Sequence, residues 1–120
     1  PPESNHLESL DALRRPNMQM FGCLIDGALV AIGAIKLLDG YGELKRLYVP
    51  PRPRGQGLAK AMMQVLEAEI RRHGRGVARL ETGIYQVEAL GLYERLGYAH
   101  CPPFGDYTAD PLSVFMEKRL

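Results

Sequence analysis

Residues 52–59 read Arg52-Pro53-Arg54-Gly55-Gln56-Gly57-Leu58-Ala59, and this stretch divides the predicted fold into two parts. Proline donates no backbone hydrogen bond, so the prolines in and before the stretch exclude a helix or a central strand at this point. After it, apolar residues recur at helical spacing with charged residues on the opposite face. That pattern predicts a long helix that begins at Leu58 and is ended by Gly74. The stretch is therefore a loop that leads into the strongest predicted helix of the chain.

Three strands are predicted on the amino-terminal side of this loop. Asp26-Gly27 is a typical hairpin turn, and residues 39–42 form a second glycine-rich turn. Strands that are joined by such tight turns form an antiparallel meander. Upstream, Asn5 and Glu8 form a capping-box pattern, which predicts a short helix that ends before Pro16. The predicted strands cover residues 18–25, 28–38 and 43–49.

On the carboxyl-terminal side of the long helix, strands and a helix alternate. The predicted elements are a strand over 77–82, a helix over 86–96, a short strand over 98–101, a loop over 102–110 and a final strand over 113–118. In the order of all predicted elements, the middle strand-helix-strand is a βαβ unit, which implies parallel pairing there. The order of elements therefore predicts a mixed-sheet α/β or α+β domain.

Length and composition indicate one globular domain over residues 1–120. The chain has 120 residues, of which 46% are hydrophobic and 24% are charged, as in an ordinary soluble domain. Its net charge of +1 argues against a protein built mainly to bind nucleic acid. No apolar run approaches the roughly 18 residues that a membrane helix needs. We therefore expect neither a nucleic acid nor a membrane as partner.

The two cysteines, Cys23 and Cys101, are predicted to be free thiols in a reducing compartment, because one pair in a chain with a full core is no disulfide framework. No Cys-x-x-Cys occurs and the three histidines are scattered, so no metal site is expected. The chain starts without Met and without an apolar signal region. It therefore looks trimmed at its amino terminus, and a cytoplasmic location is expected.

The loop before the long helix is suited to bind an anion. The first amides of a helix lack internal partners, and glycines let the backbone approach a ligand closely. Arg52 and Arg54 would add charge-assisted hydrogen bonds. A nucleoside triphosphate site needs Gly-Lys-Ser or Gly-Lys-Thr, and a dinucleotide site needs a glycine where Lys60 stands, so neither pattern is matched. The pyrophosphate of coenzyme A and an ordinary helix-starting turn are the open alternatives.

Two blocks of the sequence resemble the GNAT superfamily of acetyl-CoA-dependent N-acetyltransferases. Arg52, Gly55 and Gly57 match that family's signature between a strand and the following helix. The stretch from Gln86 to Tyr98 is similar to a later helix of the family, with Leu-Tyr-Glu ahead of Gly-Tyr. The resemblance extends over nearly the whole chain. It departs at the amino terminus, where the family's first strand and first helix are absent, and at Gln86, where many members have Asn.

The resemblance implies a fold, a reaction and a set of cofactor contacts. The implied fold is a mixed, mostly antiparallel sheet with helices on both faces and a V-shaped splay between two parallel strands, in which the pantetheine arm lies. The implied reaction moves an acetyl group from acetyl-CoA to the primary amine of a small molecule or peptide. The implied cofactor contacts are Leu47, Tyr48, Val49, Arg52, Arg54, Gly55, Gln56, Gly57, Leu58, Ala59, Lys60, Gln86 and Tyr93.

Glu43 and Tyr93 are the catalytic candidates that the resemblance implies. At pH 7 only about one alkyl amine in 2500 is neutral, so a base is useful, and Glu43 matches a position where several members carry theirs. Tyr93 matches the family tyrosine near the acetyl sulfur. Proton transfer from a phenol with a pKa near 10 to a thiolate whose thiol has a pKa near 8.5 costs about 2 kcal/mol. A hydrogen bond from Tyr93 to that thiolate therefore describes its role better than proton transfer does. The alternative interpretations are a solvated glutamate at a strand edge and a tyrosine of the core.

The acceptor side is marked less clearly by the sequence. The candidate contacts are Asn5 and His6 at the first helix and Phe104 and Tyr107 in the late loop. Lys45 and Arg46 can meet an acidic acceptor. A carboxyl-terminal strand at an exposed sheet edge can support a homodimer.

Two other functions stay open on sequence alone. One is a coenzyme A-binding module without catalysis, and the other is a nucleic-acid-binding domain that uses the arginines.

Overall fold

The computed structural model describes residues 17–48 and 57–120, with the exception of the side chains of Ile25 and Arg46. The strands are β1 Met18–Ile25, β2 Ala28–Leu38, β3 Tyr41–Tyr48, β4 Val77–Gly83, β5 Ala99–His100 and β6 Ser113–Arg119, and the helices are α1 Leu58–Arg72 and α2 Val87–Arg95. The predicted amino-terminal helix and most of the loop before α1 lie outside the described residues.

The strands form one six-stranded sheet in the order β1-β2-β3-β4-β6-β5. Neighbouring strands are antiparallel except β3 and β4, which are parallel, as the βαβ pattern predicts. β3 and β4 pair at two positions, Gly42 with Ala78 and Glu43 with Arg79, and then separate toward their carboxyl ends. The prediction of a mixed, mostly antiparallel sheet with a splay between two parallel strands is confirmed.

Turn chemistry accounts for the hairpin between β1 and β2, whose strand limits match the prediction. Asp26 and Gly27 have φ values of 52° and 80°, the pair of left-handed conformations that fits the twist of two antiparallel strands. The second predicted turn is too long, because Tyr41 and Gly42 already belong to β3. Gly42 suits the strand because α1 approaches it closely: a Cβ there would lie 2.6 Å from Cγ1 of Ile70.

The prediction of an exposed carboxyl-terminal edge strand is wrong. β6 lies between β4, with which it pairs over seven positions, and the short β5 at the edge of the sheet. β5 is short because Pro102 and Pro103 follow it and cannot donate to a strand ladder. The chain then reaches β6 through residues 101–112, and this loop carries aromatic side chains back over the sheet.

The main hydrophobic core lies between the sheet and the two helices. Met63, Leu66 and Ile70 of α1 are fully buried, and each contributes roughly 1.5–3 kcal/mol through burial. Tyr93 of α2 and Leu80 of β4 belong to the same cluster. The two helices therefore flank the region where β3 and β4 separate. Neither described helix is long and apolar enough to cross a membrane.

A second, aromatic cluster lies on the opposite face of the sheet. Successive residues of a strand point to opposite faces. Because Gly42 faces α1, Tyr41 and Glu43 face away from it. The aromatic cluster consists of Tyr41, Phe104 and Phe115, with Tyr107 packed against them. The loop over residues 101–112 thus covers the face of the sheet on which Glu43 lies.

Candidate active site

Two adjoining cavities occupy the region where β3 and β4 separate. The first has a volume of about 550 Å³ and lies between β3, the start of α1 and α2. The second has a volume of about 460 Å³ and lies in the splay itself, reaching the loop over residues 101–112. Both cavities share four lining residues, which are Leu47, Gln86, Ala89 and Tyr93. A ligand in the first cavity can therefore present one end to a second ligand in the other.

The amino terminus of α1 forms one wall of the first cavity. Its N-cap is Gly57, which has a φ of 77° and makes no side-chain cap hydrogen bond. A φ in this range favours glycine, and a Cβ at Gly57 would meet nothing within 4 Å. The first helical hydrogen bond runs from the Ala61 amide to the Gly57 carbonyl, at 2.9 Å. The amides of residues 58–60 therefore have no partner within the helix and are suited to a phosphate.

Charge in the first cavity also favours an anion. Lys60 and Arg95 line it together with one carboxylate, Glu88, and α1 has no acidic residue in its first turn. Arg95 was missed by the sequence analysis. Its Nη1 lies only 3.2 Å from the position a Cβ of Gly91 would take, so it crosses the space that the glycine leaves open. The spacing of four residues between Gly91 and Arg95 is the signal that could have identified it.

The structure brings seven of the predicted cofactor contacts together around the first cavity. They are Leu47, Gly57, Leu58, Ala59, Lys60, Gln86 and Tyr93. Tyr48, at the end of β3, is half exposed and is not among the lining residues. The remaining predicted contacts lie outside the described residues, and they are Val49, Arg52, Arg54, Gly55 and Gln56.

Glu43 is the most buried charged residue of the second cavity, with 4% of its surface exposed. The Tyr107 hydroxyl donates a 2.6 Å hydrogen bond to its Oε2, and Lys45 Nζ lies 3.8 Å from the same oxygen. The alternative interpretation of Glu43 as a solvated glutamate at a strand edge is wrong, because β3 lies inside the sheet. Within the described chain, Oε1 makes no hydrogen bond or ion pair.

A second carboxylate, that of Glu81, lines the same cavity. Its Oε2 accepts a 2.8 Å hydrogen bond from Ser113 Oγ on β6. Glu81 and its neighbour Thr82 were missed by the sequence analysis. In β4, the apolar residues Ala78 and Leu80 alternate with residues that face the other side of the sheet. This alternation places Glu81 on that other side and could have identified it.

Tyr93 lies where the two cavities meet and is 8% exposed. It belongs to the hydrophobic core as well as to the cavity walls, so the position of this residue is compatible with both interpretations. Burial raises the pKa of its hydroxyl, which stays protonated near neutral pH. Among the residues that the structure describes, this hydroxyl makes no hydrogen bond. It is therefore available to donate one to a ligand.

Of the predicted acceptor contacts, Tyr107 reaches the second cavity and Phe104 does not. Phe104 is 8% exposed and lies in the aromatic cluster, where its ring supports Tyr107 with centroids 5.3 Å apart. Asn5 and His6 lie outside the described residues. Within residues 17–48 and 57–120, no group of three or more His, Cys, Asp or Glu side chains is arranged to hold a metal ion.

Comparison with known proteins agrees with the geometry. A model of the acetyltransferase (GNAT) family matches residues 1–98. An IAA acetyltransferase of Azospirillum brasilense is 42% identical over 122 residues, covering 100% of this chain and 80% of that protein. YsnE of Bacillus subtilis, an uncharacterized N-acetyltransferase, is 37% identical and covers 100% of this chain and 82% of its own length.

Solved structures have the same fold. A Klebsiella pneumoniae protein assigned as an acyl-CoA N-acyltransferase is 41% identical, with a TM-score of 0.89 over 98% of this chain and 82% of that one. The PaiA N-acetyltransferase of Thermoplasma acidophilum, solved with coenzyme A, has a TM-score of 0.79 at 19% identity, over 97% of this chain and 68% of its own. At that identity the second likeness concerns the fold alone.

Proposed function

The chain belongs to the GNAT acetyltransferase family, and on that basis we propose that it is an acetyl-CoA-dependent N-acetyltransferase that acts on a primary amine of a small molecule or peptide. The observation that carries the proposal is the pair of cavities that meet at Tyr93. One has a free helix terminus and an excess of cations, and the other has a buried carboxylate.

The two free thiols suit a reducing compartment, and we propose the cytoplasm as the location.

The first cavity is the site for acetyl-CoA. Backbone amides at the start of α1 bind the pyrophosphate, and Lys60 and Arg95 add positive charge beside it. The side chain of Gln86 makes no hydrogen bond within the described chain and can bind the pantetheine arm. When bound, acetyl-CoA supplies the thioester whose acyl carbon accepts the amine nitrogen.

Glu43 is the proposed base. An acceptor amine enters the second cavity as an ammonium ion, since only about one alkyl amine in 2500 is neutral at pH 7. Oε1 of Glu43, which makes no hydrogen bond among the residues that the structure describes, receives the proton from this nitrogen, directly or through a water molecule.

Tyr93 is the proposed hydrogen-bond donor to the leaving sulfur. Transfer of its proton to a thiolate is already uphill by about 2 kcal/mol for an unperturbed phenol. Burial raises the pKa of Tyr93 further, which makes full transfer less favourable still. Tyr93 therefore stabilises the developing negative charge without giving up its proton.

The charges of the second cavity suit a cationic acceptor. Glu43 and Glu81 contribute two carboxylates, and Lys45 contributes one ammonium group. Lys45 lies beside Glu43, so the carboxylate of Glu81 is left to attract the positively charged substrate. Amines that carry no carboxylate of their own are accordingly the preferred acceptors.

Thermal unfolding with and without acetyl-CoA tests the cofactor, with NADH and ATP as control ligands. At about 100 times its dissociation constant, acetyl-CoA stabilises the fold by about 2.7 kcal/mol, a rise in Tm on the order of 10 °C. Release of free coenzyme A thiol is then measured with a panel of cationic amines and amino acids.

Each outcome has one meaning. A rise in Tm with acetyl-CoA alone, followed by thiol release with amines, supports the proposed enzyme. A rise in Tm without thiol release for any amine would indicate a coenzyme A-binding module without catalysis. The absence of any rise with acetyl-CoA would overturn the proposal at its first step.

A further inference from the structure

Glu43 and Tyr107 are 64 positions apart in the chain, yet they share a 2.6 Å hydrogen bond on the wall of the second cavity. Tyr107 is the donor, and it comes from the loop between β5 and β6 rather than from the splayed strands. It binds Oε2 of Glu43, the oxygen that Lys45 also approaches. The opposite oxygen, Oε1, makes no contact of this kind within the described chain. One face of the carboxylate is thus occupied and the other is left for a substrate.

The ring of Tyr107 is held in place by two phenylalanines of the aromatic cluster. It packs edge-to-face on Phe104, with centroids 5.3 Å apart, and on Phe115, with centroids 5.4 Å apart. The Tyr107 amide also donates to the Phe104 carbonyl at 3.0 Å, which closes the turn of the loop. Such edge-to-face aromatic pairs stabilise the position of the ring. They hold the hydroxyl where it donates to Glu43.

The cluster itself is anchored to the sheet beneath it. Phe104 packs against Tyr41 of β3, with centroids 5.6 Å apart, and the Arg79 guanidinium lies 4.5 Å from the centre of the Tyr41 ring. Arg79 is paired at 3.0 Å with Glu117 of β6. The loop that carries Tyr107 is thereby bound to the two strands on either side of the splay.

We propose that Tyr107 is a positioning residue for acetyl transfer, which fixes the Glu43 carboxylate so that Oε1 faces the acceptor amine. This inference rests on the proposed function, since it assigns Tyr107 a task only if Glu43 receives the amine proton. The hydrogen bond to Oε2 holds the carboxylate in one orientation and leaves Oε1 to receive the proton. Tyr107 thus acts through Glu43 and not on the acetyl group.

Other ionisable groups lie around Glu43, in the second cavity and in the aromatic cluster. They are Tyr41 and Lys45 on β3, Arg79 and Glu81 on β4, and Asp106 in the loop. None of these is altered by the change Tyr107→Phe, which removes one hydroxyl and keeps the ring. A difference between the wild type and this variant that disappears in the Glu43→Gln background therefore reports the hydrogen bond to Glu43.

The test compares Tyr107→Phe with Tyr41→Phe, a matched loss of a hydroxyl in the same aromatic cluster. For Tyr107→Phe we expect kcat at pH 7 to fall about 10-fold to 100-fold. The dissociation constant for acetyl-CoA should stay the same. Tyr41→Phe should leave kcat as in the wild type.

A double-variant cycle separates positioning from a structural role. If Tyr107 acts through Glu43, adding Tyr107→Phe to Glu43→Gln causes no further loss of kcat. Equal losses in both backgrounds would overturn the inference while leaving the enzyme assignment intact. A wild-type protein that releases no thiol with any amine would instead overturn the proposed function.

Discussion

The hydroxyl of Tyr98 donates a 2.7 Å hydrogen bond to Oε2 of Glu67, which is a buried carboxylate of α1. Tyr98 closely follows α2, so the bond ties together the two helices that flank the cavities. Lys118 of β6 donates to the other oxygen of Glu67 at 3.0 Å. Both oxygens of a carboxylate that is 7% exposed are thereby satisfied.

Loss of this hydrogen bond should destabilise the fold. Tyr98→Phe leaves Oε2 of Glu67 buried without a donor, which costs about 1–3 kcal/mol. We expect a lower Tm and a lower denaturant midpoint in circular dichroism. Tyr85→Phe is the matched control, because Tyr85 is 80% exposed and should be neutral. Equal stability of the two variants would contradict the role given to Tyr98.

The same residue predicts how stability depends on alkaline pH. Burial, and after it the hydrogen bond to Glu67, raise the pKa of Tyr98 above that of a free tyrosine. A group with a raised pKa in the folded state contributes its full stabilisation below its unfolded pKa, about 10 here, and loses it as the pH rises above that value. Between about pH 9 and 11, the free energy of unfolding should fall less steeply for Tyr98→Phe than for the wild type in denaturant titrations. Parallel curves would show that Tyr98 ionises equally in both states.

Gly57 should be required for cofactor affinity. A valine at its φ of 77° costs about 1–2 kcal/mol and displaces the first amides of α1. We expect the dissociation constant for acetyl-CoA, measured by calorimetry, to rise at least about 10-fold, which is about 1.4 kcal/mol.

Gly74 at the other end of α1 provides the control for Gly57. It has a φ of 82°, and a Cβ added there would meet no atom within 4 Å, as at Gly57. Gly74→Val should therefore lower stability by a similar amount and leave acetyl-CoA affinity unchanged. A similar loss of affinity in both variants would mean that helix strain, and not the free amides, explains the result.

Replacement of Glu43 should remove catalysis and spare cofactor binding. Glu43→Gln keeps an acceptor for the Tyr107 hydroxyl but cannot take a proton, so kcat should fall about 10²-fold to 10⁴-fold. Glu69→Gln, on the outer side of α1 beside Arg72, is the control and should keep full activity. Steady-state thiol release and calorimetry with acetyl-CoA measure the two properties. Full turnover by Glu43→Gln would exclude this residue as the base.

Tyr93→Phe should act on the chemical step alone. Loss of a hydrogen bond to a developing anion lowers kcat by about 10²-fold, while ring packing in the core is kept. Because burial raises the pKa of Tyr93, we expect no limb of the wild-type pH profile near neutrality to depend on this residue. A pH profile that loses a limb near neutral pH in Tyr93→Phe would mean that the tyrosine transfers its proton after all.

Local sequence signals predicted most of the elements. The Asp26-Gly27 turn placed the limits of β1 and β2 correctly, because two left-handed residues allow a single hairpin register. Gly57 and Gly74 lie just outside the two ends of α1, as expected, and both have positive φ. The predicted start of β3 was wrong, because Tyr41 and Gly42 belong to the strand. Close packing of Ile70 against Gly42 outweighed the turn preference of glycine.

Contacts between distant segments could not be predicted in this way. Glu81 and Arg95 line the cavities only because β4 and α2 pack where they do. The exposed edge expected for β6 is absent because β5 pairs with it, and two residues of strand leave almost no sequence pattern.

The sequence alone determined the order of the described elements, the hairpin turn at Asp26-Gly27, the helix that starts after a glycine, and the family resemblance that led to Glu43 and Tyr93. These follow from backbone preferences and spacing, which act over a few residues. The burial of Glu43, and the bond from Tyr107 to one of its oxygens across 64 positions of chain, became visible only in the folded molecule. Such a contact depends on how the loop packs across the sheet, and no local preference of either residue specifies it.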